Sequence, residues 1–178
     1  MRPEITKTKL PGVLSFQHER FEDHRGTYEE LYNAFDYTDA ITEAVGEKLV
    51  FQEDDIAISH KHVLRGLHGD DRTWKLITCL KGQYYIVVLN YDNDSVHFGE
   101  WESFILSDKN RNQLLVPPKH GHGYVVMSEE AVFHYKQTCT YQGMEKQFTI
   151  TYDDSRFNIW WPIKDPILSR RDSDVLQR

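Results

Sequence analysis

The sequence has 178 residues, of which 39% are hydrophobic and 28% are charged, with 21 Lys and Arg against 28 Asp and Glu. We predict one domain over residues 1–178, because this length and composition are typical of a single globular core. The formal net charge of -7 argues against a dedicated nucleic-acid binder, whose affinity depends on a basic surface. The sequence shows neither an apolar run of about 18 residues nor an apolar leader, so we expect a cytoplasmic protein.

Short extended segments separated by turn residues dominate the chain, which is typical of an all-β protein. One short helix is predicted at Asp39–Val45, with Thr38 as its N-cap and Gly46 at its end. Strands are predicted at Leu49–Ile58, Lys75–Leu80, Gln83–Leu89, Trp101–Leu106, Gln113–Val116, Gly123–Met127, Ala131–Thr138 and Lys146–Tyr152. The stretch after Asp153 is predicted to be irregular, with one helical turn near its end. This spacing favours a β-sandwich or barrel, jelly rolls included.

Polar residues inside apolar, strand-like runs are the candidate functional residues, because the inward positions of a β-sandwich are expected to be apolar. Arg65 and His68 lie in the run 63–70, beside two glycines that allow a ligand close to the backbone. His68 is either a ligand-facing group or a core histidine with a satisfied hydrogen bond. Arg65, if it is buried, needs a carboxylate or a ligand phosphate as its partner.

Lys75 and Tyr135 are two further candidates. Lys75 opens an apolar strand and is either a surface lysine or a cation that faces a cavity. Strand alternation places Tyr135 with Ala131 and Phe133 on the more apolar face of its strand, where it is either a core tyrosine or part of a pocket.

Histidine and cysteine spacing gives weaker signals. H-x-H pairs occur at residues 60–62 and 120–122, but no glutamate follows the first pair at ligand spacing, so we expect no bound metal. Cys79 and Cys139 lie in strand-like runs and are predicted to be buried thiols rather than a disulfide. The sequence has no G-x-S-x-G, P-loop or dinucleotide-binding glycine motif.

Seven segments, in order along nearly the whole chain, resemble the signatures of one family. They are Asp23–Glu30 (D-x-R-G-x-F-x-E), Val63–His68 (V-L-R-G-L-H), Lys75–Leu76 (K-L/Y), Ser95–Trp101 (S-P-T-F-G-x-W), Gln113–Tyr124 (Q-L-x-x-P…A-H-G-F), Tyr135–Thr138 (Y-K-x-T) and Trp161–Asp172 (W-P…L-S-x-[KR]-D). Any one segment is a weak signal, but seven in order are a strong one. The sequence therefore resembles the dTDP-4-dehydrorhamnose 3,5-epimerase family.

The resemblance implies a metal-free, cofactor-independent, cupin-type jelly roll that acts as an isomerase on a nucleotide-diphosphate 4-keto-6-deoxy sugar. His68 takes the position of the general base and Asp172 that of its paired carboxylate. Lys75 takes the position of the cation near the C4 oxygen, and Tyr135 that of the acid on the opposite sugar face. Inversion beside a ketone needs these three functions: a base, a group that stabilises the enolate, and an acid on the other face. A nearby Lys or Arg is expected to lower the pKa of the Tyr135 phenol.

The resemblance also implies which residues bind the substrate and how the subunits assemble. Arg65 and His122 match pocket residues, and Trp161 is a candidate for stacking on sugar or base, with core packing as its alternative. Arg65 and Arg25 are the candidates for binding the diphosphate. The family implies a homodimer in which an N-terminal group reaches the nucleotide end of the neighbouring subunit's site, here Arg25, Tyr28 and Glu30. We expect neither a membrane nor a nucleic-acid partner.

Three segments depart from the family pattern. Gly69-Asp70 replaces Phe-Gln, the run E-D-D-I-A at residues 53–57 replaces Q-x-N-x-S, and residues 83–90 lack the two aspartates of V-x-D-V-x-V-D. The nucleotide and the sugar stay open, since L-H-G-D and W-K-L-I-T-C also resemble a branch that acts on GDP-linked 4-keto heptoses. The alternative functions are a nucleotide-sugar 3,4-ketoisomerase on the same fold, a metal-dependent cupin and a noncatalytic sugar-binding domain.

Overall fold

The computed structural model describes residues 2–173, which contain thirteen β-strands, two α-helices and one 3-10 turn at Met144–Lys146. The strands are β1 (Glu4–Lys7), β2 (Leu14–Gln17), β3 (Arg20–Asp23), β4 (Gly26–Glu29), β5 (Glu53–His60), β6 (Leu64–Gly69), β7 (Lys75–Lys81), β8 (Gln83–Asn90), β9 (Trp101–Ser107), β10 (Gln113–Val116), β11 (His120–Val126), β12 (Glu130–Gln137) and β13 (Phe148–Thr149). The helices are α1 (Ala34–Val45) and α2 (Arg170–Ser173). The predicted domain, 1–178, includes positions 1 and 174–178, which lie outside the described residues.

Two antiparallel sheets form a jelly roll, which confirms the predicted all-β, cupin-type fold. The larger sheet has the order β1-β2-β10-β7-β12-β5, and the smaller one has the order β13-β6-β11-β8-β9. In the described part of the chain, strands β3 and β4 pair only with each other, as a hairpin. Side chains of both sheets, among them Ile77 of β7 and Ile86 of β8, meet in one apolar core. The two sheets therefore face each other, and the candidate active-site residues can come from either sheet.

Strand β8 is buried on both faces, which explains its nearly continuous apolar sequence. Tyr84, Ile86 and Val88 face the core between the sheets. The alternate residues pack under the C-terminal stretch, where Tyr85 contacts Trp161. That stretch is irregular and ends in the short helix α2, as predicted.

Helix α1 is longer than predicted, and its cap differs. It begins after Asn33, whose side chain accepts a hydrogen bond from the backbone of Asp36, so the prediction of Thr38 as the cap is wrong. Asn33 caps because its backbone is extended while its side-chain oxygen satisfies a free N–H of the first turn. Gly46 ends the helix in the left-handed conformation, as predicted.

Strand ends and weak strands account for the other differences. Strand β5 begins at Glu53 rather than at Leu49, because Leu49 packs into the apolar cluster beside α1. Strand β11 begins three residues earlier than predicted, at His120, and β13 keeps only Phe148–Thr149 of the longer strand predicted there. The sequence did not predict β1 to β4 or β6. Both thiols are free, Cys79 buried and Cys139 half-buried. No helix within residues 2–173 is both long and apolar enough to cross a bilayer.

Candidate active site

A cavity of about 530 Å³ brings six of the predicted site residues together. His68 on β6 and His122 on β11 are register partners and come from the smaller sheet. Lys75 on β7 and Tyr135 on β12 come from the larger sheet. The other two predicted residues in its lining are Arg65 and Asp172. The two sheets therefore supply opposite walls of one cavity.

His68 and Asp172 form a hydrogen-bonded pair, with His68 Nε2 2.6 Å from Asp172 Oδ1. Asp172 is only 3% exposed, and its other oxygen accepts from Ser169 Oγ at 2.8 Å. Burial opposes ionisation of Asp172, but the hydrogen bond and charge of His68, with help from Ser169 and Arg171, outweigh it and lower the pKa of Asp172. An ionised carboxylate at Nε2 orients the ring, stabilises an imidazolium and leaves Nδ1 as the basic atom.

Lys75 and Tyr135 are neighbours on the facing sheet. Lys75 is 6% exposed and lines the cavity, so the structure supports the cavity-facing cation rather than the surface lysine. Its Nζ lies 5.6 Å from the centre of the Tyr135 ring. Burial lowers the pKa of Lys75, Asp70 opposes this shift and Arg171 adds to it. Burial and then Asp55 raise the pKa of Tyr135, so the expectation that a nearby cation lowers it is wrong.

Arg65 and His122 occupy the same cavity wall but differ in exposure. Arg65 is exposed, with Nε donating to Ser59 Oγ at 2.9 Å, so the anionic partner that a buried guanidinium would need is not required here. Because Arg65 lies at the cavity, its guanidinium can reach a bound ligand as well as solvent. Burial, together with the charges of Lys75 and His68, holds the pKa of His122 well below its usual value. His122 is therefore a neutral imidazole, stacked with Phe133 at 6.4 Å between ring centres.

The predicted N-terminal group lies away from this cavity. Arg25 pairs with Asp23 across 2.6 Å on the β3–β4 hairpin, and Tyr28 is 69% exposed there. Glu30 accepts a hydrogen bond from the side chain of Asn33 at the start of α1. A single chain thus does not bring these three residues to the site, and their contribution to a neighbouring subunit stays a prediction.

Trp161 also lies outside the cavity. Its indole nitrogen donates to the Tyr152 carbonyl at 2.8 Å, and its ring packs against Tyr85 at 5.8 Å between centres. These contacts belong to the apolar cluster on the outer face of β8. The structure therefore supports core packing, the alternative that the sequence left open for Trp161.

Several lining residues were not identified from the sequence. Ser169 donates a hydrogen bond to the Asp172 carboxylate, and Arg171 donates hydrogen bonds to the side chains of Thr149 and Gln147. Both belong to the L-S-R-R-D segment, so the motif that pointed to Asp172 also carried this signal. Arg170 of the same segment and Tyr124 of the Gln113–Tyr124 segment also line the cavity, and the remaining lining residues, which lie outside the seven segments, are Ala57, Phe133, Tyr141, Met144 and Gln147.

The two histidine pairs do not build a common site. His60 and His62 are exposed, whereas His122 lines the cavity and His120 bonds the Pro118 carbonyl at 3.0 Å. Within residues 2–173, no group of three or more His, Cys, Asp or Glu side chains has an arrangement that could hold a metal ion.

An imidazole with its carboxylate on one wall, and an ammonium beside a phenol on the other, give one pocket a base, an oxyanion site and an acid. A jelly roll with this set defines a cupin-type sugar epimerase. The family model described as dTDP-4-dehydrorhamnose 3,5-epimerase matches residues 7–177. The chain belongs to this family.

Individual relatives agree with the family. The dTDP-4-dehydrorhamnose 3,5-epimerase of Shigella flexneri is 37% identical over 171 residues, which cover 94% of this chain and 92% of the relative. The structure of a 4-keto-6-deoxy sugar epimerase from the novobiocin gene cluster of Streptomyces spheroides superposes with a TM-score of 0.89 at 28% identity, covering 98% and 86% of the two chains. An epimerase from Legionella pneumophila, solved with dTDP-4-keto-L-rhamnose, has a TM-score of 0.87 at 32% identity, covering 97% and 90%.

Proposed function

We propose that this protein inverts C3 and C5 of a dTDP-linked 4-keto-6-deoxy sugar by proton transfer through an enolate. The observation that carries the proposal is that His68 and Tyr135 reach one cavity from opposite sheets. Inversion requires that geometry, because a proton removed and returned on one face gives exchange without a change of configuration. The names of the relatives support the choice of nucleotide and sugar.

In this reaction His68 removes the proton from the carbon beside the ketone. Asp172 stabilises the imidazolium that forms, since its carboxylate lies 2.6 Å from the ring nitrogen. The ammonium of Lys75 stabilises the negative charge that develops on the C4 oxygen, in a buried setting where such an interaction is strong. Tyr135 then gives its proton to the opposite face of the carbon.

Arginines at the cavity receive the diphosphate. Arg65, Arg170 and Arg171 line the site, and each offers a planar donor fork suited to phosphate oxygens. They supply local positive charge in a protein whose net charge is -7. His122, whose pKa is held well below its usual value, adds no positive charge to this set.

The active assembly in this proposal is a homodimer. The β3–β4 hairpin is exposed and pairs with no other strand of residues 2–173, which leaves Arg25 and Tyr28 available to a second subunit. Dimerisation would also cover an edge strand such as β5, where Ile56 and Ile58 are 62% and 57% exposed. The cytoplasmic location remains a prediction.

The test is proton exchange and inversion in deuterated water, followed by NMR with dTDP-4-keto-6-deoxyglucose and a GDP-linked 4-keto sugar. We expect the wild-type protein to incorporate deuterium beside the ketone and to invert the dTDP substrate. His68→Asn is expected to abolish both readouts. Tyr135→Phe is expected to keep exchange better than inversion, because the base and Lys75 still form the enolate.

His134→Asn is the matched control, since His134 lies on the same strand as Tyr135 but pairs with Asp54 on the other face of the sheet. It is expected to retain both readouts. Absence of exchange with either nucleotide would refute the proposed function. Equal loss of exchange and inversion in Tyr135→Phe would refute the opposite-face role of Tyr135.

A further inference from the structure

Strand β5 presents two carboxylates on the inward side of the sheet. Exposure alternates along it, with Glu53, Asp55 and Ala57 half-buried and Asp54 and Ile56 exposed. Ala57 lines the catalytic cavity, so Glu53 and Asp55 continue the same face away from it. The family pattern Q-x-N-x-S has amides at these two positions, where this chain has carboxyl groups.

Glu53 is committed to structural hydrogen bonds. Its Oε1 accepts from Gln137 Nε2 at 2.5 Å and its Oε2 from the backbone N–H of Tyr141 at 2.9 Å. Gln137 is its register partner on β12, and it is 3% exposed. These two bonds fix the side chain of Glu53, and the carboxyl group of Asp55 lies two residues further along the same face.

Asp55 lies directly opposite Tyr135 in the β5–β12 register. Directly opposite residues on antiparallel strands have their Cβ atoms about 4.5–5.5 Å apart. Both residues are half-buried, so the carboxyl group and the phenol are neighbours on the inward face of the sheet. Tyr135 is thus held between Asp55 and the ammonium of Lys75, which lies 5.6 Å from its ring centre.

The charged and titratable groups around Asp55 come from three strands: Glu53 and Asp54 on its own strand, Tyr135 on β12 and Lys75 on β7. Burial and then the neighbouring carboxyl group of Glu53 raise the pKa of Asp55, the phenol of Tyr135 opposes this shift, and the charge of Asp54 adds to it. The charge of Asp55 in turn raises the pKa of Tyr135, after the larger effect of burial. Asp55 in its neutral form is therefore the better partner for a phenol that has to lose its proton.

We propose that Asp55 is a positioning residue for Tyr135, which it orients and resupplies with a proton. This inference rests on the proposed function and adds a second proton donor behind the phenol. As the Tyr135 O–H bond breaks and the new C–H bond forms, the carboxylic acid of Asp55 passes its proton to the phenolate oxygen. Tyr135 ends neutral, Asp55 ends as a carboxylate, and His68 carries the proton taken from the substrate. Solvent then removes one proton from His68 and returns one to Asp55, so protons and charge balance.

The first test needs no substrate. Wild-type protein, Asp55→Asn and Asp54→Asn are labelled with ¹³Cζ-tyrosine and titrated by NMR, with the Tyr135 signal assigned from Tyr135→Phe. Asp55→Asn is expected to lower the pKa of Tyr135, because it removes a carboxylate beside the phenol. Asp54→Asn is the matched control, since its carboxylate bonds His134 and Lys136 on the outer face, and it is expected to leave the titration unchanged. An unchanged Tyr135 titration in Asp55→Asn would overturn the proposal.

The second test is the pH profile of inversion. In the wild type, inversion is expected to fall as pH rises through the pKa of Asp55, since the reserve proton is then lost. The amide of Asp55→Asn still donates a hydrogen bond to a phenolate but does not titrate. The inversion rate of this variant is therefore expected to stay within about tenfold of the wild-type rate, and its pH profile to lose the fall at high pH (the alkaline limb). Asp55→Leu is expected to lower the ratio of inversion to exchange by about tenfold or more.

If the same alkaline limb persists in Asp55→Asn, it does not arise from Asp55 and the proposal fails. It also fails if Asp55→Leu keeps the wild-type ratio of inversion to exchange. A wild-type protein that shows no exchange refutes the proposed function instead, and the NMR titration still decides whether Asp55 controls Tyr135.

Discussion

Replacing Asp172 by asparagine isolates the charge in the His68–Asp172 pair, because the two side chains have nearly the same shape. The amide keeps an oxygen for Ser169 Oγ, which bonds the carboxylate at 2.8 Å in the wild type. It removes the negative charge that lies 2.6 Å from His68 Nε2. The imidazolium that forms when His68 takes a proton then has no anionic partner.

The expected loss follows from burial and distance. Asp172 is 3% exposed and the His68 side chain 22%, so solvent screens the pair only weakly. A hydrogen bond to a charged group contributes about 1.5–3 kcal/mol, and about 1.4 kcal/mol corresponds to a factor of ten in rate. Asp172→Asn should therefore lower kcat for inversion about 10- to 150-fold, and exchange by the same factor, because both begin with the proton removed by His68.

The assay is deuterium exchange and product NMR at saturating substrate, with Asp165→Asn at an exposed position of the same segment as the control. Stability gives an independent readout. The pKa of Asp172 is lowered in the fold, so its contribution to the unfolding free energy is present above the unfolded value of about 3.9 and is lost as pH falls through the folded pKa. The wild type should lose its advantage over Asp172→Asn below about pH 4. A kcat within about twofold of the wild type would refute the role of the charge.

Lys75→Met is expected to raise the unfolding free energy at pH 7 by about 1–3 kcal/mol, because it removes a buried ammonium, and to lower kcat about 10²- to 10³-fold. In urea titrations, this gain in stability should fade as the pH approaches 10.5, the pKa of lysine in the unfolded chain, and destabilisation at pH 7 would contradict the reasoning. Gly66→Ala is expected to lower the unfolding free energy by about 2–4 kcal/mol, since residue 66 has a φ of +117° and its new Cβ would lie 2.5 Å from a backbone atom of β11. The Cβ of Gly121→Ala would meet nothing closer than 3.4 Å, so this control should lose less than about 1 kcal/mol, and equal losses for the two variants in urea titrations would contradict the prediction. Arg65→Met should raise KM for the nucleotide sugar about tenfold with little change in kcat, and an unchanged KM would exclude Arg65 from diphosphate binding.

Local patterns in the sequence predict the central strands well. Strand β10 has the predicted bounds, Gln113–Val116, and the apolar run of β8 is found as a strand buried on both faces. Gly46 ends α1 because a left-handed residue is needed there, which is a property of the residue itself. The all-β class and the candidates His68, Lys75, Tyr135 and Asp172 follow from signals of this kind and from motif order.

Two of the missed strands, β3 and β6, lack such a signal. All four residues of β3 are exposed, so no apolar alternation marks it, and it exists through its pairing with β4. Strand β6 is interrupted by two glycines and is held between β11 and β13. These elements depend on partners distant in sequence, which a local pattern does not contain.

The sequence by itself determined which chemical groups this protein carries: an imidazole, an ammonium, a phenol and a carboxylate in motifs of recognisable order. Only the tertiary structure decided that Lys75 faces the cavity rather than the surface, that Arg65 is exposed, and that Asp55 stands opposite Tyr135. The physical reason is that residue type and local spacing belong to the covalent chain, whereas solvent exposure and the distance between charges arise from packing. The direction of the pKa shift of Tyr135 depends on its solvent exposure and on its distance from Asp55 and Lys75, so the sequence alone does not predict it.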